Sequence, residues 1–279
     1  MAKAQKGRSM FFVNEKFDII IQGGQSNAFG MGWGPVEEEY QADEDILYLD
    51  AEKITSEGIK DGFWGLVLDY LDKPFEITVA NNRMLDGKLV GDFALTFARE
   101  YKKKYLAAGR KILIVRAGVG GTGFMKKHWR VGDVVYEKML ELIDYALGLN
   151  PENKIVAFLW HQGEHDAFEK NDPDIFKEQL QTMLSSVKQR YHQPDMPFIS
   201  ADFVNEWKTQ NLDTCVPIIE RIKEVTAWAN GEFVETSDLL SNNQKNGCGD
   251  VIHFCRNSLQ ELGYRYFQAY ERMNSKNNT

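Results

Sequence analysis

FDIIIQGGQSNAFGMG, residues 17–32, runs from a nearly continuous apolar segment into Gly23-Gly24 and at once into Gln25, Ser26 and Asn27. An apolar run this short and dense reads as a strand buried on both faces, which is the habit of parallel sheets. The glycines let the backbone leave the strand sharply. Ser26 then opens whatever follows, where its hydroxyl and N–H would lie near the positive end of a helix. Serine and asparagine after glycines are also ordinary turn and cap residues, so the rest of the chain must decide between a loop and a nucleophile.

Four further strand-like runs follow the first: ILIV (112–115), IVAFLW (155–160), PFISADF (197–203) and the weaker FVET (233–236). Between them lie segments with helical spacing, over 92–109, 134–150, 172–191 and 217–231, and an amphipathic helix closes the chain from about residue 257. Strand alternating with helix predicts a single α/β domain, a three-layer α/β/α sandwich around a doubly wound, mainly parallel five-stranded sheet of flavodoxin-like type. Residues 1–16 read as an N-terminal extension and 17–279 as the domain. A long irregular insertion over about 30–91 contains only short extended pieces, ILYL and EITV.

Composition narrows the function. The 279 residues carry a net charge of −8, which argues against a nucleic-acid surface. No apolar run approaches the ~20 residues needed to span a bilayer. The N-terminal apolar stretch, Met10 to Val13, is too short for a secretion signal, so the chain as given is expected in the cytoplasm. Cys215, Cys248 and Cys255 are few and odd in number, as in a reducing compartment, and are expected as packed thiols.

In open α/β sheets, sites lie beyond the carboxyl ends of the strands. Besides GGQSN, three such places carry chemistry. In GCGDVIHF, Asp250 and His253 are spaced so that the carboxylate can accept from Nδ1–H and leave Nε2 as a base. In WHQGEHD, Gln162 can aim an amide at an oxyanion, and Glu164 can orient the neighbouring loops. In RAGVGGTGF, the backbone N–H of Gly120 or Gly121 can serve as a second oxyanion donor. Neither the histidine spacing of WHQGEHD nor the cysteines around His253 suits a metal site, so no metal or cofactor is expected.

Jointly, GQSN (24–27), GGT (120–122), WHQGE (160–164) and DVIHF (250–254) resemble the SGNH (GDSL-like) hydrolases, and among them the sialate O-acetylesterase and acetylxylan esterase branch, carbohydrate esterase family six. The resemblance implies a serine esterase that removes acetyl groups from carbohydrate hydroxyls. It makes Ser26 the nucleophile, His253 the base, Asp250 its orienting acid, and Ser26, Gly121 and Gln162 the oxyanion donors, with Asn27 and Glu164 in support. The expected partner is an acetylated sugar or glycan, with no nucleic acid and no membrane. Trp33, Arg83 and Trp129 are candidate substrate contacts, together with Trp64 and Trp207. Two alternatives share these residues: a glycan-binding module without turnover, and an esterase or acetyltransferase for another small acyl ester. His165 after Glu164, and Gly123-Phe124 after GGT, depart from the expected pattern.

Overall fold

The computed structural model describes Phe12, residues 14–51 and residues 75–277. Most of the 1–16 extension, and residues 52–74 of the 30–91 insertion, lie outside the described residues. The strands are β1 (Lys16–Gly24), β2 (Ile46–Ala51), β3 (Phe75–Val79), β4 (Arg83–Leu85), β5 (Lys88–Val90), β6 (Arg110–Gly118), β7 (Lys154–His161), β8 (Phe198–Ala201) and β9 (Glu232–Val234). The helices are α1 (Ser26–Phe29), α2 (Phe93–Tyr105), α3 (Val134–Gly148), α4 (Glu164–Phe168), α5 (Pro173–Arg190), α6 (Asn205–Gln210), α7 (Leu212–Trp228), α8 (Asn242–Asn246) and α9 (Arg256–Asn277).

Among the described residues the central sheet has seven strands in the order β3-β2-β6-β1-β7-β8-β9, not the five expected. The two additions are the short pieces of the insertion. β2 joins parallel to β6, and β3 closes the edge antiparallel to β2. Pairing with a neighbour, rather than local alternation, makes these segments strands, so the insertion is less irregular than its sequence suggests. Without them the order is β6-β1-β7-β8-β9, the doubly wound arrangement whose direction of winding reverses at β1.

Both faces of β1 are buried. Phe17, Ile19 and Ile21 enter one core with residues of α3, α5 and α7, while Ile20 enters the other with residues of α2 and α9. The single acidic residue of the run, Asp18, is buried but paired: it accepts from Arg110 Nε at 2.6 Å and from the Tyr101 hydroxyl at 2.7 Å. α7 begins at Leu212, five residues before Pro217, and the Cys215 N–H closes onto the Asn211 carbonyl at 2.9 Å. α2 ends at Tyr105, short of the expected 109, and Gly109, with φ of 77°, turns the chain into β6. Among the described residues no helix is long and apolar enough to cross a membrane.

Candidate active site

The register of the sheet aligns the ends of its three middle strands. Gly24 at the end of β1 stands opposite Gly118 at the end of β6 and opposite His161 at the end of β7. Ser26, Gly120 and Gln162 therefore follow a common line at the point where the winding reverses. Position 24 admits only glycine. Its φ is 134°, and a Cβ there would lie 2.0 Å from the His161 carbonyl oxygen. That close approach lets the Gln25 N–H reach the same carbonyl at 3.0 Å, while the Gln25 side chain accepts from His165 N–H at 3.1 Å.

Ser26 is the first residue of α1 and is nearly buried. A Cβ added at Gly120 would lie 3.9 Å from the Ser26 Cβ, which places that glycine beside the serine. The loop after β6 sorts its own N–H groups. Val119 donates to the Gly24 carbonyl at 3.0 Å, Gly123 to His128 Nδ1 at 3.1 Å, and Phe124 and Met125 to Asp166 at 3.0 and 2.9 Å. Burial pushes the His128 imidazole down to about 4, so it stays the neutral acceptor that the Gly123 N–H requires. No such bond engages the N–H of Gly120 or Gly121 among the described residues.

The carbonyl of Phe29, at the end of α1, accepts from two guanidiniums: Arg116 at 2.7 Å and Arg83. Arg83 also stacks 3.9 Å over the Phe29 ring. Arg83, expected as a substrate contact, is thus engaged with the end of the helix that Ser26 opens. Cations at the carbonyl end of a helix are favourable in their own right.

Asp250 and His253 form the expected pair. His253 Nδ1 lies 2.9 Å from Asp250 Oδ1 and 3.0 Å from Oδ2, and the His253 N–H adds a 3.3 Å bond to Oδ1. Asn242 donates to Asp250 Oδ2 at 2.9 Å. Burial raises the Asp250 carboxyl, but the bonds from His253 and Asn242 outweigh it and hold the group below its usual range. The loop that carries this pair is tied to the residue after Ser26. The side chain of Asn27 makes the tie: its Nδ2 donates to the Ile252 carbonyl at 3.1 Å, and its Oδ1 accepts from the Phe254 N–H at 3.1 Å. It thus grips the residues on both sides of His253. The structure shows no Ser26 Oγ to His253 hydrogen bond, a contact that often tightens only with substrate present.

Glu164 is fully buried and completes this frame. Its Oε1 accepts from Asn27 Nδ2 at 2.9 Å and stands 3.2 Å from His161 Nε2. Gly163, with φ of 140°, makes the turn that leads from His161 to Glu164; a Cβ there would press within 2.8 Å of Phe203. Gln162 is buried, and its amide donates to Asp166 Oδ2 at 2.5 Å and, at a long 3.4 Å, to the Thr122 carbonyl. It stands beside the glycine loop, although its amide is already engaged rather than free as expected.

The aromatic candidates divide. Trp33 is half-buried; its backbone N–H donates to Asn242 Oδ1 at 3.1 Å, which links that segment through Asn242 to Asp250. Lys88 sits 4.0 Å over its ring. Trp129 is a correction: it is completely buried, packs edge-on against Trp160 with ring centres 5.0 Å apart, and bonds Thr122 Oγ1 at 2.9 Å. It supports the glycine loop from below. Trp207 is likewise buried against Phe203, and Trp64 lies outside the described residues. The three cysteines are free thiols; Cys215 and Cys255 are buried as expected, but Cys248 is exposed.

Sequence reasoning passed over Gln25, Asn242 and Asp166. Gln25 and Asp166 lie inside quoted motifs and Asn242 shortly before one, and each reveals itself only by what it bonds across the fold.

A model of the carbohydrate esterase, sialic acid-specific acetylesterase family matches residues 16–272. A probable carbohydrate esterase of Arabidopsis thaliana is 26% identical over 105 residues, so the match spans 38% of this chain and 39% of that relative. Among solved structures, NanS superposes with a TM-score of 0.74 at 17% identity, covering 94% of this chain and 99% of its own. A carbohydrate acetylesterase from Xanthomonas citri gives 0.61 at 17% identity, covering 93% of this chain and 56% of its own. At such identities the likeness is one of fold.

Proposed function

The chain belongs to the sialic acid-specific acetylesterase family of carbohydrate esterases, and from that premise we propose that it removes acetyl groups from sugar hydroxyls through an acyl-enzyme on Ser26. The observation that carries this reading is the Asn27 clamp. It ties the residue after the serine to the residues flanking His253, whose Nδ1 is already 2.9 Å from Asp250.

In the first step His253 Nε2 takes the Ser26 proton as Oγ attacks the acetyl carbonyl. The carbonyl π electrons move to oxygen. The resulting oxyanion accepts from the N–H of Ser26 at the start of α1 and from Gly121 or its neighbour Gly120. The Gln162 amide joins them by giving up its long contact to the Thr122 carbonyl. The imidazolium, stabilised by ionised Asp250, then protonates the sugar oxygen as the C–O bond breaks. Water repeats the sequence on the acetyl-Ser26 and releases acetate. Asp250 never takes the proton itself; it fixes the tautomer and the ring.

Trp33 supports a carbohydrate substrate, since its backbone N–H is tied through Asn242 to Asp250 and its half-buried indole suits the apolar face of a sugar ring. The test is acetate release from O-acetylated sialic acid and from acetylated xylooligosaccharide, by the wild type and by Ser26→Ala. Ser26-dependent release supports the reading and ranks the two sugars. Binding of either sugar with no release by the wild type would replace it with a glycan-binding module.

A further inference from the structure

One buried acid has no part in the mechanism above. Asp166, in α4, is fully buried, and its carboxylate accepts four hydrogen bonds. Oδ2 takes the Phe124 N–H at 3.0 Å and Gln162 Nε2 at 2.5 Å. Oδ1 takes the Met125 N–H at 2.9 Å and Asn171 Nδ2 at 2.9 Å. Phe124 and Met125 directly follow Gly120-Gly121-Thr122-Gly123, and Gln162 is the candidate oxyanion amide. A single carboxylate therefore holds both halves of the candidate oxyanion hole, which come from different strands.

We propose that Asp166 is a positioning residue for the oxyanion hole, fixing the glycine loop after β6 and the orientation of the Gln162 amide at once. This rests on the oxyanion roles given to that loop and to Gln162. The chemical reason lies in donor and acceptor type. A carboxylate offers only acceptors, so Gln162 must turn its NH2 group toward position 166, and the second hydrogen of that group then faces the loop. An amide at 166 would put an NH2 group in place of one of these oxygens; set on the Oδ2 side, it would face the donors of Phe124 and Gln162. Gln162 would then turn its oxygen inward and set a carbonyl where a donor is needed. Gly123 adds an independent constraint, because a Cβ at that position would lie 2.8 Å from Asp166 Oδ2. A side chain there would push the loop off its anchor.

The experiment measures kcat and KM for p-nitrophenyl acetate in five variants, with thermal unfolding of each: Asp166→Asn, Gly123→Ala, Gln162→Ala, Asp166→Asn with Gln162→Ala, and Ser26→Ala. Asp166→Asn is expected to lower kcat by roughly 10- to 100-fold, with KM within about threefold, because the lost interaction belongs to the transition state. In the Gln162→Ala background the same change should cost distinctly less, since the amide it orients is gone. If Asp166→Asn does not fold, Gly123→Ala carries the test and should show the same fall in kcat alone. A folded Asp166→Asn or Gly123→Ala with wild-type kcat overturns the proposal, as does full multiplicative cost in the double variant. Loss of activity in Ser26→Ala alongside either result leaves the esterase reading intact. Full activity in Ser26→Ala fails that reading itself.

Discussion

Asn27 and His253, 226 positions apart in sequence, are joined without touching through their side chains: Asn27 bonds the carbonyl of Ile252 at 3.1 Å and the N–H of Phe254 at 3.1 Å. The same amide donates to buried Glu164 at 2.9 Å. Asn27→Ala would leave three polar groups without their partner, at a cost of about 1–3 kcal/mol for each buried group left unpaired. The variant is expected to lose several degrees in Tm. It should also lose turnover by at least about tenfold, since this clamp ties the residues on both sides of His253 directly to α1. Calorimetry and initial rates on p-nitrophenyl acetate check both; a normal kcat at a lowered Tm would show the clamp to be structural only.

Asp250→Asn keeps the size of the side chain but puts a donor or a neutral acceptor against His253 Nδ1. Turnover is expected to fall by roughly 10³–10⁴, because the wrong tautomer is then favoured. Asn242→Ala should have a smaller effect in the same direction, as Asp250 keeps its bonds to His253 and loses only the 2.9 Å bond from Asn242. Steady-state rates for the two variants, side by side, measure the order; a larger loss in Asn242→Ala would contradict it.

Gly24→Ala places a methyl group 2.0 Å from the His161 carbonyl in a backbone with φ of 134°. Neither strand can yield, since Gly24 pairs with both β6 and β7. We expect failure to fold or a loss of stability above about 4 kcal/mol, in the range kept for steric and strained-backbone damage. Soluble yield and urea unfolding report it, and a near-native midpoint would refute the close approach.

Acid should unfold the protein partly through Glu164 and Asp250. Burial raises the Glu164 carboxyl, but His161 beside it and the Asn27 amide outweigh that and leave it below its ordinary 4.5. Asp250 is likewise held below 3.8. For both, the unfolded chain binds the proton more readily. The stability they contribute is therefore present above their unfolded values and is lost as pH falls through the folded ones. Asp166 acts with the opposite sign, because burial lifts it above 3.8 and its cost is relieved on protonation. Urea unfolding at about pH 5 and about pH 3 should show a smaller drop for Glu164→Gln than for the wild type. Equal drops would remove Glu164 from the acid response.

Much of this arrangement could be read from the chain. The five apolar runs read from the sequence are five neighbouring strands of the seven-stranded sheet, β6-β1-β7-β8-β9, and their alternation with helices was enough for the fold class. Ile46–Ala51 and Phe75–Val79 were legible only as extended pieces, since their place beside β6 depends on pairing across a long stretch of sequence. The pairing of Asp250 with His253 followed from spacing. The fates of Arg83 and Trp129 did not, because a guanidinium bracing the Phe29 carbonyl and an indole under Thr122 look, in sequence, the same as side chains facing a cleft. Asp166 was hidden for the same reason: only the fold brings Phe124, Met125, Gln162 and Asn171 around it.

The most direct measurement is kcat/KM for p-nitrophenyl acetate in the wild type and in Ser26→Ala under identical conditions. The account predicts turnover by the wild type and a fall of at least about 10⁴ on removal of the Oγ, as expected when a catalytic serine is lost. Turnover in Ser26→Ala close to that of the wild type would mean that another group carries the acyl transfer, and the site described around Ser26 would not be the catalytic one.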